Sequence, residues 1–207
     1  MTYNPEIHHR RSIRLKDYDY SQAGAYFVTI CAWQRECLFG EIVNGEMILN
    51  DMGRIVKSVW SGMPEHFASI YLDEYAIMPN HFHGILHINE SVEVVGAKQG
   101  SSALPAFDLR STKGKAGEAF ALPLQLQPVR GSVSGSLSSI IQNFKSVSTR
   151  KINNFRNNPG CPIWQRNYYE RVIRNEVELS RAREYIINNP MKWELDKENP
   201  VNCRDDT

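Results

Sequence analysis

Cysteine is scarce in this 207-residue chain, and its four copies are unpatterned: Cys31, Cys37, Cys161 and Cys203 form no CxxC pair and no zinc-ribbon spacing. That excludes a thiolate metal knuckle and a disulfide scaffold, and it predicts reduced thiols in a cytosolic protein. Long apolar runs are missing too. Nothing approaches the roughly 18 residues of a membrane span, and the opening "MTYNPEIHHRRSIRLKDYDY" is polar and basic rather than a leader. A soluble, intracellular protein with no membrane partner is expected. Charge of one sign is also lacking. The net charge of +1 gives no global pull toward a polyanion, so any such affinity must come from a local basic face. No internal repeat is visible. Apolar residues make up 42% of the chain, enough to bury a core, and the length suits a single domain over 1–207. Within it, 91–134 is rich in Gly, Pro, Ser and Ala, holds no period, and reads as a mobile insertion.

Histidine is sparse as well, but it is not scattered. Three of the six, His81, His83 and His87, fall inside "MPNHFHGILHIN" at 78–89. The elements around them follow from periodicity. "GAYFVTICAW" (24–33) is rich in β-branched and aromatic residues and predicts a buried strand. Asn44-Gly45 between two apolar runs predicts a hairpin within 38–50. Met52, Ile55, Val56, Val59, Trp60 and Met63 recur at helical spacing, with Asn50 or Asp51 as cap and Pro64 as the end. Strands follow at 69–78, with Ile70, Leu72 and Ala76 among its apolar positions, and at 81–89. The two are joined only by Pro79-Asn80. A helix is predicted over 136–155, with Leu137, Ile140, Ile141, Phe144, Val147, Ile152 and Phe155 as one stripe. A strand at 168–174 precedes a last helix, where Asn175 and Glu178 have capping-box spacing and Pro190 ends or kinks the helix. The class is α+β: a ferredoxin-like βαββαβ unit with an antiparallel sheet, an early hairpin, and an added C-terminal helix. In that topology the first and third strands are central, and the third carries the histidines.

Residues i and i+2 of a strand point the same way, so His81 and His83 share a face and Phe82 takes the other. Two imidazoles about 6–7 Å apart along a strand can converge on one divalent ion of the Mn, Zn, Co or Fe kind. His87 has the same parity but lies two pleats further on. Two ligands do not hold a hard ion, and the last helix offers more. Tyr185 and Asn189 are at i, i+4, on one helical face. Asn189 would bring a carbonyl oxygen to the metal, with the Tyr185 hydroxyl one turn away. Tyrosine attacks poorly at its ordinary pKa near 10, and a metal that draws charge from a phosphodiester makes the phosphorus easier to attack. The 136–155 helix presents Lys145, Arg150 and Lys151 among amides and hydroxyls, with no acid, which suits phosphate. The arm "HHRRSIRLK", with Arg10, Arg11 and Arg14, is either a solvated tail or a second phosphate contact.

Together these residues resemble a known family. "MPNHFHGIL" is similar to the HUH motif, with Phe82 as its bulky apolar residue. "WQRNYYERVIRNE" followed by "REYIINNP" resembles the C-terminal signature of single-tyrosine HUH transposases, above all the REP-associated tyrosine transposases of the insertion-sequence (IS200-like) group. The resemblance runs from about residue 7 to 195, the 91–134 segment apart, and that insertion is a departure from compact members. It implies His81, His83 and Asn189 as ligands of Mg or Mn and Tyr185 as nucleophile. It also implies cleavage and rejoining of single-stranded DNA near hairpins through a 5′-phosphotyrosine, as monomer or homodimer, in the nucleoid-associated cytoplasm. Trp164, Gln165 and Arg166 match family positions and are expected at DNA. Tyr168 and Tyr169 are rival nucleophiles, but no amide stands one helical turn from them. A histidine-triad hydrolase would need a third histidine at position 85, which is Ile85. A metallophosphatase would need several carboxylates, and Asp73 and Glu74 form no such motif. A relative that binds hairpins without cutting them is the remaining alternative.

Overall fold

The computed structural model describes residues 18–89 and 133–202. The insertion, apart from its last two positions, and the arm with Arg10, Arg11 and Arg14 lie outside the described residues. Strands β1 (Gly24–Cys31), β4 (Ile70–Ile77), β5 (His81–Ile88) and β6 (Tyr169–Ile173) build one antiparallel sheet in the order β4-β5-β1-β6. Counting these four alone, the order is second, third, first, fourth, which is the ferredoxin-like arrangement. β5 lies inside the sheet, hydrogen-bonded on both edges. The early hairpin forms separately from β2 (Gly40–Val43) and β3 (Glu46–Leu49). Its turn places Asn44 at φ 53 and Gly45 at φ 79, the left-handed pair that this dipeptide tolerates best.

Alternation gives the sheet two different faces. Tyr26, Val28, Ile30, Phe82 and Leu86 point to one, where α1 (Asp51–Ser61) and α3 (Leu137–Phe155) close the main core. Trp60 of α1 packs on Phe82 and Phe144 at ring separations of 4.6 and 5.3 Å. Gly84 makes this approach possible, because a β-carbon there would stand 2.8 Å from the rings of both Phe82 and Trp60. Ala25, Phe27, Ile85 and Ile173 point to the other face, where Leu179, Ala182 and Ile186 of α4 (Glu176–Asn188) cover them in a smaller cluster.

Both predicted caps form. Asn50 accepts from the Gly53 amide and Asn175 from the Glu178 amide, each at 2.9 Å. Two expectations need correction, and two placements add to the reading. Pro64 does not simply end a helix: α1 stops at Gly62, and Pro64 opens a one-turn helix, α2 (Met63–His66), because proline suits a first turn. Phe155 is exposed, lying past the end of the stripe that reaches the core. Ala76 faces away from Ile70 and Leu72, since β4 shifts register between Leu72 and Tyr75. Asn189 is the C-cap residue of α4 rather than an interior one, and Pro190 starts a 3-10 helix that runs to Leu195.

A candidate metal and tyrosine centre

The α4 face of the sheet ends in a polar cluster. His81 and His83, almost wholly buried, precede Ile85 along β5 on that face. Each imidazole is fixed through its Nδ1. His83 Nδ1 lies 2.8 Å from Oγ1 of Thr29, its cross-strand partner on β1. His81 Nδ1 lies 2.9 Å from Asn80 Oδ1. Asn80 is held in turn, because its Nδ2 donates to the carbonyls of Arg35 and Glu198 at 3.0 and 2.6 Å. That leaves Oδ1 as the only Asn80 atom able to face His81, and a carbonyl oxygen only accepts. His81 therefore carries its proton on Nδ1 and presents a bare lone pair at Nε2.

Three buried acceptors result: His81 Nε2, His83 Nε2 and Asn189 Oδ1 have no hydrogen-bond partner among the described residues. The two rings lie 4.6 Å apart. A buried acceptor without a donor costs about 1–3 kcal/mol, and three together are relieved by a cation more simply than by separate donors. Asp196 joins the cluster. Its Oδ1 caps the Glu198 amide at 2.8 Å, while its Oδ2 stands 3.8 Å from His81 Nε2. His81, His83 and Asp196 bring ligand atoms within 4.8 Å of one another, a group able to hold a metal. Nitrogen and oxygen donors without thiolate suit Mn, Fe, Co or Zn, and the carboxylate and amide oxygens also admit Mg.

Electrostatics keep the imidazoles neutral, as ligation requires. Burial pushes the His83 pKa well below its ordinary value, and the neighbouring His81 and Lys197 add to the effect. Burial lowers His81 as well, against the opposing pull of Asp196, Glu198 and Asn189. Tyr185 stands beside this cluster, its ring 5.2 Å from His83 and 5.9 Å from Phe27. It is half exposed. Burial, then the charge of Asp196, raises its pKa, while the Asn189 amide opposes that shift. Asn189 thus favours the charged form of both His81 and Tyr185 and lies beside both. The tyrosine keeps its proton until something draws it away.

The structure therefore brings His81, His83, Asn189 and Tyr185 of one chain together. His87 stays apart, bonded to Asp73 at 3.0 Å and stacked on Tyr71. Tyr169, the β6 partner of Thr29, shares this face of the sheet and reaches Phe27 at 6.4 Å. Thr29, Asn80 and Asp196 escaped sequence reasoning. Only the adjacency of Asn80 to His81 is a signal in the sequence, and no spacing ties Asp196 or Glu198 to the histidines that they meet in the fold. Glu198 also meets Arg35 at 3.2 Å and Cys31 at 3.6 Å. Burial, then Glu198, pushes the Cys31 thiol up to about 12.

The expected basic face maps to a groove of about 820 Å³ between α3 and the chain at 159–168, lined by Gln142, Lys145, Thr149, Arg150 and Arg166 among others. Arg150 and Arg166 are exposed there. The Lys145 ammonium is committed to the carbonyls of Gln165 and Arg166 at 2.7 and 2.9 Å, and its burial lowers its pKa. Lys151 is exposed on α3 outside the groove lining. Trp164 belongs to the core instead, its indole donating to Ser148 Oγ at 2.9 Å. Gln165 donates its amide to the carbonyl of Cys31, whose strand partner is His81, so the groove opens at the histidine end of the sheet.

No protein-family model matches the chain. An uncharacterized protein of Haemophilus influenzae (strain ATCC 51907 / DSM 11121 / KW20 / Rd) is 43% identical over 199 residues, which cover 94% of this chain and 96% of that protein. The two belong to one family. Among solved structures, a REP-associated tyrosine transposase bound to a REP hairpin is similar in fold, with a TM-score of 0.51 at 15% identity over 90% of this chain and 76% of that one.

Proposed function

We propose that this chain is a metal-dependent nuclease of the HUH transposase type, cutting and rejoining single-stranded DNA near hairpins through Tyr185. The observation that carries the reading is the set of three partnerless buried acceptors on His81, His83 and Asn189 beside the Tyr185 ring. A divalent ion, Mg or Mn, held by these atoms with Asp196 in reach, would supply Lewis-acid polarisation of a phosphodiester. The remaining work falls to the chain. Asn80 keeps His81 in the ligating tautomer, and Thr29 orients His83 through Nδ1 and can accept its proton there. The wall of β5, α4 and the 196–199 segment limits water. The Tyr185 hydroxyl attacks phosphorus and gives up its proton. A phosphorus–oxygen bond forms to the tyrosine as the bond to the 3′-oxygen breaks, and that oxygen leaves as a 3′-hydroxyl after gaining a proton. The phosphotyrosine retains the bond energy, so a 3′-hydroxyl of another strand can reverse the step. Arg150 and Arg166 in the groove, with Lys151 and the arm residues Arg10, Arg11 and Arg14, would hold phosphates and make affinity fall with salt, while Lys145 holds the 165–166 backbone instead.

The test is a covalent-adduct assay with labelled hairpin DNA and Mn or Mg on a denaturing gel. The expected result is a metal-dependent shifted band, lost in Tyr185→Phe and His83→Ala and kept in Tyr169→Phe. A band that survives Tyr185→Phe refutes the nucleophile and brings Tyr168 or Tyr169 forward. Binding without any band favours a hairpin-binding protein that does not cut.

A further inference from the structure

β4 holds one residue more than its partner needs. Leu72 pairs with Leu86 and Tyr75 with Gly84, so three steps on β4 match two on β5, the mark of a β-bulge. The bulge changes which face each residue meets. Leu72 and Tyr75 both pack into the main core, and Ala76 joins the α4 side. Asp73 lies at the bulge. Its Oδ1 accepts the Glu74 amide at 2.7 Å, which anchors the carboxylate to the irregular turn. The same carboxylate reaches up to α4, where Arg183 Nε donates to Oδ1 at 2.9 Å and Nη2 to Oδ2 at 2.7 Å. His87 adds a contact to Oδ2 at 3.0 Å and is backed by the Tyr71 ring at 4.0 Å. This is a two-pronged arginine fork on a carboxylate, the ion-pair geometry with the most directional control.

Arg183 and Tyr185 are two residues apart, about 200° around a helix. They leave α4 on opposite flanks, with the Leu179, Ala182 and Ile186 stripe between them on the sheet. That apolar contact is small and non-directional, so it sets the helix down without setting its rotation about its own axis. The fork does set it. A roll that lifts Arg183 from Asp73 swings Tyr185 on the other flank. We infer that Asp73 and Arg183 are positioning residues that fix the roll of α4, and with it the approach of the Tyr185 hydroxyl to the His81, His83 and Asn189 acceptors. The catalytic half of this inference rests on Tyr185 being the nucleophile; the mechanical half does not.

The test uses the full chain with 3-fluorotyrosine at position 185, in Asp73→Asn, Arg183→Gln, the double variant, and Arg183→Lys, which keeps the charge and loses the fork. Fluorine NMR without DNA or metal reads the ring environment directly. The wild-type resonance is expected to carry the ring-current shift of His83 and Phe27, and each variant is expected to move it toward the solvent value. In the adduct assay at saturating hairpin, the single variants should lose about a hundredfold in rate, as about 1 Å of misplacement does, with hairpin Kd within about twofold. The double variant should be no slower than the slower single, because one fork is lost in all three. Ile140→Val, in the opposite core, controls for general destabilisation. An unmoved fluorine signal, or a rate loss equal to that of Ile140→Val at matched Tm, overturns the inference. A fluorine signal that moves in a protein forming no adduct upholds the clamp and refutes the nucleophile instead.

Discussion

Replacing Thr29 by Val keeps shape and removes one oxygen, which isolates the anchor of His83 at Nδ1. A His83 that ligates through Nε2 carries its proton on Nδ1, and Oγ1 at 2.8 Å is the acceptor for that N–H. Valine leaves that N–H without a partner beside a ring only 3% exposed. Two costs follow. An unsatisfied buried donor destabilises the fold by about 1–3 kcal/mol. In the tautomer that ligates through Nε2, the Nδ1–H then has no acceptor, so metal binding loses the support of that bond. Loss of such an outer partner typically weakens metal affinity about 10–100-fold, equivalent to about 1.4–2.7 kcal/mol. The assay is Mn titration followed by electron paramagnetic resonance, with urea unfolding of the metal-free protein in parallel. Thr29→Ser, which keeps the hydroxyl, should stay within a few-fold of wild type. Unchanged Mn affinity in a folded Thr29→Val protein would mean that His83 does not bind through Nε2, and the ligand set argued above would fall.

Three further outcomes are expected. Metal-free stability should drop as pH falls from about 6.5 toward 5, because the unfolded chain takes protons that buried His81 and His83 refuse; the slope is at most about 1.4 kcal/mol per pH unit for each histidine, and flat urea midpoints between pH 7 and 5.5 would refute neutral burial. Asp73, whose carboxyl Arg183 holds far below its usual range, loses its contribution only at lower pH, as pH falls below the ordinary carboxylate value near 4. Asn80→Ala should weaken Mn binding about 10–100-fold and also speed hydrogen exchange around 196–199, since two of its bonds hold the carbonyls of Glu198 and Arg35; unchanged exchange would detach Asn80 from the closing segment. Gly84→Ala should cost about 1–3 kcal/mol by overpacking against Trp60 and Phe82 while leaving the Mn affinity of the surviving folded protein intact, because its side chain would point to the other face.

Much of this arrangement is legible in the sequence because it obeys short-range periods. The alternation His81-Phe82-His83 separates imidazole from core ring, and Tyr185 with Asn189 lie one turn apart whatever packs against them. The strand order follows from the succession of periodic segments. What could not be read depends on partners far along the chain. Thr29 meets His83 only through sheet register, Asn80 meets Glu198 across more than a hundred residues, and Asp196 arrives because Pro190 redirects the chain into a 3-10 helix. Trp164 illustrates the converse. The match to a family position implies a DNA contact, yet its indole finds Ser148 in the core.

The bulge in β4 also says where this sheet can absorb an accidental extra codon. Among the described residues β4 is an edge strand, bonded on one side only, so one surplus residue shifts a few side chains and the ladder resumes. β5 has neighbours on both sides and carries stability and chemistry on alternate letters. A single inserted residue before His83 would exchange the two sets, sending imidazole into the Trp60 pocket and Phe82 toward the acceptors. Indel scanning of this domain should therefore find tolerance around 73–74 and none at 81–86, and the boundary would mark the edge of the sheet as clearly as a structure does.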